Sequence, residues 1–438
     1  MGAKIEPLPP FTPDLYQRAW ASVPHPTLPL LATAHANSVT VFSLSTLSKH
    51  SALTGGHSRS VRTVTWQPGL KSHQLRLVTG SFDASAGLWS WNGDNNEVTS
   101  GERLEVDVTK PQEGEEEEEA KEDWEFNLVL EGHENEIKSV AFSPSGQFLA
   151  TCSRDKTVWI WEDVGVEDDD DEWETLAVLN DHDADVKAVA WAPDVPGRTK
   201  GARGKYSADV LASASYDNTV RIWREEGEGE WVCVACLEGH NGTVWGLQFE
   251  SCPRRGDKFP RLLTWSADGS IRIWSLKEEP EEEGEEADTG SGATAGSIFR
   301  SGLGGIPNTM RRSLREDWEC TAVLPKVHTR EIYSATWSAK TGMIASTGSD
   351  GTIALYAEVE ADGDTEMANT AADAETKDSA SPAWKVLTTV PVAHGPYEIN
   401  HITWCKRFDS GAERKGEEEM LVTTGDDGVI RPWKVTTQ

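Results

Sequence analysis

The sequence predicts an all-β chain folded as a closed ring of seven four-stranded blades, a β-propeller. Two patterns that alternate along its 438 residues predict this fold. The first is a His followed at fixed spacing by two aliphatic residues and then Trp or Phe, as in residues 133–142. The second is an Asp followed six positions later by an aromatic residue, as in Asp155 and Trp161. The residues between them alternate as in β-strands, and a unit that recurs in this way indicates a repeat fold.

The His pattern occurs six times along the chain. Its copies begin at His57, His133, His182, His240, His328 and His394. Each copy is followed by the Asp pattern, at Asp83, Asp155, Asp217, Asp268, Asp350 and Asp427. One repeat cannot bury its own apolar face, so we expect the copies to pack side by side around an axis.

A seventh blade is expected before the first His. Trp20 and residues 30–33 and 39–42 fit three strands that lack the His and Asp markers, and residues 53–57 are expected to supply the outer strand. The last repeat ends near Trp433 with no outer strand after it. We therefore expect residues 5–9 to pair there and close the ring, which removes the exposed edges of an open sheet.

The formal net charge of −32 is concentrated in acidic segments between the repeats. We expect one propeller domain over residues 1–438, with disordered acidic or low-complexity insertions at about 92–123, 162–172, 277–316 and 358–383. The rest of the chain is close to neutral, which disfavours nucleic acid as a partner. The acidic runs are interpreted as solvated loops, with capture of a basic partner as the alternative.

Several classes of function are disfavoured by the motifs. The six Cys do not have the spacing of a secreted disulfide framework, and no apolar run has the length of a transmembrane helix. Cys233 and Cys236 form a lone CxxC on an expected strand, where residues three apart point to opposite faces, so we expect no metal there. No nucleotide-binding or zinc-protease motif occurs. We expect a non-enzymatic protein of a reducing compartment, with no cofactor, no metal and no membrane contact.

The copy at residues 132–162, GHENEIKSVAFSPSGQFLATCSRDKTVWIWE, resembles a repeat of the WD40 family. The resemblance implies that a buried hydrogen-bonded chain of Trp, Ser or Thr, Asp and His runs through a blade and leaves no polar group unpaired. His, Ser and Asp also suggest a catalytic triad, but their recurrence once per blade favours a structural role. The implied chains comprise His133, Thr151, Asp155 and Trp161, then His182, Ser213, Asp217 and Trp223, then His240, Thr264, Asp268 and Trp274.

The same resemblance implies a binding surface on one face of the ring, called the top face below. In WD40 proteins it is formed by the third and fifth residues after the His and by the residue before the Asp. Arg and aromatic residues are enriched in interface hot spots, so these positions suit an acidic or carboxylate-bearing peptide with an aromatic anchor. The predicted partner-binding residues are Arg62, Lys138, Arg154, Lys187, Tyr216, Trp245 and Tyr333.

Beyond the generic repeat, the chain resembles the WD40 subunit of the cytosolic iron–sulfur protein assembly machinery. The resemblance rests on residues 132–162, 182–191, 211–223, 237–249 and 328–337, above all on the stretch in which Arg154 precedes the turn Asp. It implies a non-catalytic adaptor of the cytoplasm and nucleus that supplies no cluster ligands. The implied partners are a small partner subunit and a helical-repeat scaffold of a targeting complex, a hydrogenase-like iron–sulfur carrier, and client apoproteins.

A chromatin adaptor that holds histone tails is the alternative function. In that case the acidic loops would bind Lys-rich peptides. The two functions differ in the charge that they need on the top face. The predicted residues favour a basic sector there, which suits an acidic partner better than a histone tail.

Overall fold

The computed structural model describes residues 2–70, 74–91, 124–165, 172–194, 209–227, 229–251, 259–277, 315–359 and 383–437. Over these residues the chain forms seven antiparallel four-stranded sheets. The predicted all-β propeller with seven blades is confirmed. No helix of the described part is long and apolar enough to cross a membrane.

In blades 1 to 4 the strands follow one another in sequence from the innermost strand to the outermost. Blade 1 comprises β2 (Ala19–Pro24), β3 (Leu30–His35), β4 (Ser38–Ser43) and β5 (Ser48–Leu53). Blade 2 comprises β6 (Val61–Trp66), β7 (Leu75–Ser81), β8 (Ala86–Trp91) and β9 (Trp124–Leu130). Blade 3 comprises β10 (Ile137–Phe142), β11 (Phe148–Ser153), β12 (Val158–Asp163) and β13 (Trp173–Leu179). Blade 4 comprises β14 (Val186–Trp191), β15 (Val210–Ser215), β16 (Val220–Gly227) and β17 (Glu230–Leu237).

Blades 5 and 6 repeat this order, and blade 7 departs from it. Blade 5 comprises β18 (Val244–Phe249), β19 (Leu262–Ser266), β20 (Ile271–Leu276) and β21 (Trp318–Val323). Blade 6 comprises β22 (Ile332–Trp337), β23 (Ile344–Gly348), β24 (Ile353–Val359) and β25 (Ala383–Val390). Blade 7 comprises β26 (Ile399–Lys406), β27 (Glu419–Gly425), β28 (Arg431–Thr437) and, as its outer strand, β1 (Ala3–Pro7).

The ring is closed by the N-terminal strand. β1 pairs antiparallel with β28, with Ile5 opposite Val435 and Pro7 opposite Trp433. The chain then continues along blade 7, where the Phe11 amide donates to the Ile430 carbonyl at 3.0 Å. The first and last parts of the sequence thus share one sheet, as predicted from the missing outer strand of the last repeat.

The outer strand of blade 1 lies earlier than predicted. It is β5, whereas the sequence predicts a strand over residues 53–57. Gly55 adopts a positive φ of 86°, a conformation that ends a strand and that favours glycine. Residues 54–57 therefore form the connection to blade 2, and His57 belongs to that next blade.

The second strand of each blade is buried on both sides because neighbouring blades pack against its two faces. Every residue of β15 is buried, and its Ala and Ser side chains are small enough for this close packing. Outer strands are more exposed; Val178 in β13 is 47% exposed. The core is therefore formed mainly by the three inner strands of each blade, and each outer strand adds a few buried apolar side chains, such as Leu179 of β13.

The predicted insertions fall largely outside the described residues. All four lie between the third and fourth strands of a blade, which connect at the face opposite to the His and Asp turns, called the bottom face below. Two of the insertions begin later than predicted, because residues 162–163 belong to β12 and residues 358–359 belong to β24. Residue Glu316 also forms an ion pair with the buried Arg224 and accepts a hydrogen bond from Trp318 at 2.9 Å.

Candidate functional site

A hydrogen-bonded chain connects the loop, second strand and third strand of blade 3. Nδ1 of His133 lies 2.8 Å from Oδ2 of Asp155, and its Nε2 lies 2.9 Å from Oγ1 of Thr151. Trp161 donates from Nε1 to the same hydroxyl at 3.0 Å. An indole can only donate, so the Thr151 hydroxyl accepts from Trp161. The ionised Asp155 carboxylate can only accept, so the Nδ1–H of His133 donates to it.

The same chain occurs in the other blades that carry the His marker. In blades 4 and 5 the structure brings together the eight predicted residues, and each link is between 2.7 and 3.2 Å. The chain recurs in blades 2, 6 and 7 with His57, Thr79, Asp83 and Trp89, with His328, Ser346, Asp350 and Tyr356, and with His394, Thr423, Asp427 and Trp433. These groups hydrogen-bond to one another inside each blade.

The turn aspartates have lowered pKa values. Burial by itself would raise the pKa of Asp155, but hydrogen bonds from His133 and Thr157 outweigh it and lower the pKa to about 2. The pKa values of Asp217 and Asp268 are lowered in the same way, because hydrogen bonds to each carboxylate outweigh the effect of burial. Each carboxylate is thus held ionised by its own blade.

We expect the protein to lose stability in acid between about pH 3.8 and pH 2. A carboxylate whose folded-state pKa is depressed stabilises the fold above its unfolded pKa of 3.8, and this contribution is lost as pH falls through the folded value of about 2 for Asp155. Urea unfolding measured from pH 7 down to pH 2 checks this. Asp155→Asn removes one titrating group and should flatten the pH dependence, and an unchanged dependence in that variant would contradict the assignment.

The innermost strand of every blade carries a β-bulge at its second residue, where pairing skips one position. A bulge bends the strand and re-aims the unpaired side chain. Six of the seven bulged side chains line a central channel of about 310 Å³, and five of those six are predicted site residues. The bulged residues are Trp20, Arg62, Lys138, Lys187, Trp245, Tyr333 and Asn400.

Arg62 projects into the channel beside an aromatic ring. Its guanidinium lies 4.9 Å from the centroid of Trp20, and its Nη1 donates to the Trp20 carbonyl at 3.3 Å. Arg18 lies over the same ring at 4.9 Å. Burial, and then repulsion from Arg18, lowers the pKa of Arg62 to about 10. Arg62 therefore remains charged at neutral pH in a desolvated position.

Lys138 and Lys187 are recessed and paired. Lys138 donates to Glu136 at 2.7 Å, and Lys187 donates to Asp185 at 3.1 Å. Their side chains are 15% and 11% exposed. The sequence predicts a basic sector at these blades, and the structure adds that each lysine has a carboxylate two residues before it on the same turn.

Arg154 and Tyr216 form the exposed part of the predicted site. The Arg154 side chain is 55% exposed and lies 3.9 Å from Glu136 and 4.0 Å from Asp185, which are long ion pairs. Tyr216 is 59% exposed. An exposed guanidinium and an exposed phenol on adjacent blades are free to contact a macromolecule.

The remaining predicted residues, Trp245 and Tyr333, follow in blades 5 and 6, and the Lys187 ammonium lies 5.5 Å from the centroid of Trp245. The rings of Trp245 and Tyr333 meet edge to face with centroids 5.5 Å apart. Trp245 donates from Nε1 to Glu331 at 3.1 Å. Burial raises the pKa of Tyr333, which keeps its hydroxyl protonated at neutral pH. This side of the rim is therefore aromatic and acidic, in contrast to the basic side.

Trp20 and Arg18 belong to this rim and were missed by the sequence patterns. Blade 1 has no His from which to count positions, so its bulged residue had no marker. Arg18 joins the rim through an ion pair of 2.6 Å with Asp426, which also accepts from Asn400 at 2.8 Å. The signal that could have found Trp20 is its place as the second residue of a strand that begins a blade.

The comparisons with known proteins agree with this architecture. The family described as WD domain, G-beta repeat matches residues 124–162, 173–224, 231–275 and 318–356. A Neurospora crassa protein named "Probable cytosolic iron-sulfur protein assembly protein 1" is 63% identical, over 100% of this chain and 96% of that protein. Proteins with the same name from Pyricularia oryzae and Aspergillus terreus are 60% and 39% identical, each over 99% of this chain and over 97% and 99% of their own lengths.

A ring of seven blades, six of them carrying a chain of His, hydroxyl, Asp and an aromatic residue, defines the WD-repeat class of β-propeller. Within that class the similarity extends over the full length of the chain at 63% identity. The chain belongs to the family of cytosolic iron–sulfur protein assembly protein 1.

Proposed function

We propose that the protein is a non-catalytic adaptor of cytosolic iron–sulfur protein assembly, which acts by holding other proteins on the top face of its propeller. Membership of the family supports the process, and the repeated propeller fold supports an adaptor role in it. The repeated His, Ser or Thr, and Asp side chains hydrogen-bond to one another inside the blades, which leaves them as scaffolding. We therefore infer that partner proteins are bound by residues of the top-face rim.

One observation supports the placement of the partner site: the exposed Arg154 of blade 3 and the exposed Tyr216 of blade 4 both contact Asp185, whose carboxylate lies 4.0 Å from Arg154 and whose carbonyl accepts from the Tyr216 amide at 2.8 Å. A guanidinium with only long ion pairs can bind a partner carboxylate in a bidentate manner. A neighbouring Tyr supplies apolar area with a polar tip, which is typical of interface hot spots. An acidic peptide or loop with an aromatic residue fits this pair.

We further propose the partners that such an adaptor requires. They are the small partner subunit and helical-repeat scaffold of a targeting complex, a hydrogenase-like iron–sulfur carrier, and apoproteins that receive clusters. The printed names of the relatives say cytosolic, and presence of the protein in the nucleus as well stays a prediction.

Arg154→Glu is expected to weaken capture of these partners by at least about tenfold while leaving the melting temperature nearly unchanged, because an exposed charge contributes little to stability. The measurement is co-purification at moderate salt with identification by mass spectrometry, together with a thermal melt. Arg414→Glu is the matched control, since it reverses an exposed charge in the β26–β27 loop of the bottom face. Partner capture that survives Arg154→Glu, or that is lost equally in Arg414→Glu, would contradict the placement.

The same experiment tests the chromatin alternative. It would be favoured if histones were recovered in place of iron–sulfur assembly proteins, and if Arg154→Glu retained or strengthened the histone binding. The relatives provide no support for that alternative, since all three are named for iron–sulfur protein assembly.

A further inference from the structure

The central channel has a charge opposite to that of the chain as a whole. Three basic side chains line it, and no Asp or Glu is among its described lining residues, although the chain has a net charge of −32. The basic residues come from three consecutive blades and are Arg62, Lys138 and Lys187. Hydroxyl and amide groups that can donate hydrogen bonds, such as those of Thr63, Ser139 and Asn400, also line it.

The cations around the basic side of the channel outnumber their carboxylate partners. Glu136 lies within 4.0 Å of Lys138, Arg59 and Arg154, and Asp185 lies within 4.0 Å of Lys187 and Arg154. Arg62 has no carboxylate at ion-pair distance in the part of the chain that the structure describes; its polar contact is the Trp20 carbonyl. Four cations, Arg59, Lys138, Arg154 and Lys187, thus share two carboxylates, and Arg62 adds a fifth positive charge beside them.

These charges also repel one another in a poorly solvated place. Burial lowers the pKa of Lys138, and Lys187 and Arg62 add to that effect while Glu136 opposes it. Burial and then the charge of Arg62 lower the pKa of His401, which lines the same channel, to about 4, so His401 is neutral at pH 7. A desolvated cluster of like charges is stabilised by an ion of opposite sign.

We propose that the channel is a binding site for a small multivalent oxyanion of the phosphate class, with Arg62 as its principal ligand and Lys138 and Lys187 as further ligands. Phosphate groups carry about two negative charges and several acceptor oxygens, which match a guanidinium fork together with ammonium donors. A single carboxylate would offset less of the excess charge. The channel has a volume of about 310 Å³, many times the roughly 10–15 Å³ that one water molecule needs on this measure, so a small hydrated anion fits.

This site lies below the rim and goes beyond the adaptor function, which uses the exposed Arg154 and Tyr216. Isothermal titration of the full chain with pyrophosphate and with inorganic phosphate, in phosphate-free buffer, tests it. We expect saturable binding of one anion per chain, and we expect Arg62→Gln to lower the affinity by about tenfold or more. Arg330→Gln, which removes an exposed top-face charge outside the channel lining, should leave the affinity unchanged.

A thermal melt separates a ligand residue from a structural one. Without anion, Arg62→Gln should melt at the same temperature as the natural protein or higher, because it removes a partly buried charge that has no carboxylate partner. Pyrophosphate should raise the melting temperature of the natural protein more than that of the variant. Lys187→Gln provides a second test if Arg62→Gln does not fold. The proposal would be overturned if the natural protein showed no saturable binding, or if both channel variants bound the anion with full affinity. It would also be overturned if Arg330→Gln lost as much affinity as Arg62→Gln.

Discussion

Removal of residues 1–11 is expected to abolish the single cooperative unfolding transition of the propeller. The truncation deletes β1 and leaves the edge of β28 unpaired over five residue pairs. It also removes Phe11, which is fully buried in a cluster with Leu31, Phe42 and Met420 between blades 7 and 1. Loss of a buried Phe alone costs about 3–5 kcal/mol. Whole domains are stable by only about 5–15 kcal/mol.

Urea unfolding followed by tryptophan fluorescence measures this effect, and hydrogen exchange of the β28 amides locates it. Ile5→Asp and Lys4→Asp form a matched pair in the full-length chain, because they place the same residue on the two sides of β1. Ile5 is 9% exposed and packs in the core of blade 7, whereas Lys4 is exposed. Ile5→Asp should cost about 3 kcal/mol or more and Lys4→Asp less than about 1 kcal/mol. Equal effects of the two substitutions would contradict closure through β1.

Asp217→Ala is expected to destabilise the protein by about 3 kcal/mol or more. The Asp217 carboxylate accepts four hydrogen bonds: from Nδ1 of His182, from the amides of Asp183 and Thr219, and from the Thr219 hydroxyl. Removal of this shared acceptor leaves the four donors without their hydrogen-bond partner, and one of them, His182, is buried. Thermal and urea unfolding measure the loss.

Asp181→Ala is the matched control for this prediction. Its side chain is 48% exposed and lies 3.8 Å from Arg221, which is a weak surface pair. We expect a change within about 0.5 kcal/mol. Partner capture by Asp217→Ala, measured on its remaining folded fraction, should be intact, since the chain is scaffolding. Normal stability of Asp217→Ala together with a selective loss of function would show that this His, Ser and Asp set has a chemical role.

The blades with markers could be predicted from the sequence because their polar groups have few ways to be satisfied. A buried His with two polar nitrogens needs a donor and an acceptor at fixed distances, so His, Thr and Asp recur at constant spacing in blade 3 and its neighbours. Blade 1 meets the same need differently, with Ser22 and Thr33 bonded at 2.8 Å and His35 bonded to Thr40 at 2.8 Å. Its strands were therefore found only from their apolar pattern, and its outer strand was placed too late.

The residues of the candidate site could be listed from the sequence, but their exposure and contacts could not be predicted. Counting from each His identified the bulged positions in blades 2 to 6, since a bulge at the second residue of the first strand occurs in every blade. Counting could not distinguish recessed from exposed cations. Lys138 and Arg154 come from one blade, yet the first is 15% exposed and the second 55%. That difference depends on how far each side chain lies from the axis.

Sequence alone determined the number of repeats, the closure of the ring and the pairing of each His with its turn Asp, because those features follow from local spacing and from the need to pair buried polar groups. Tertiary structure decided which charges meet. Arg62, Lys138 and Lys187 are separated by 76 and 49 positions along the chain, yet they line one channel because the blades converge on a common axis. The distances between charges in different blades depend on the angle between those blades, and no pattern within a single repeat encodes that angle.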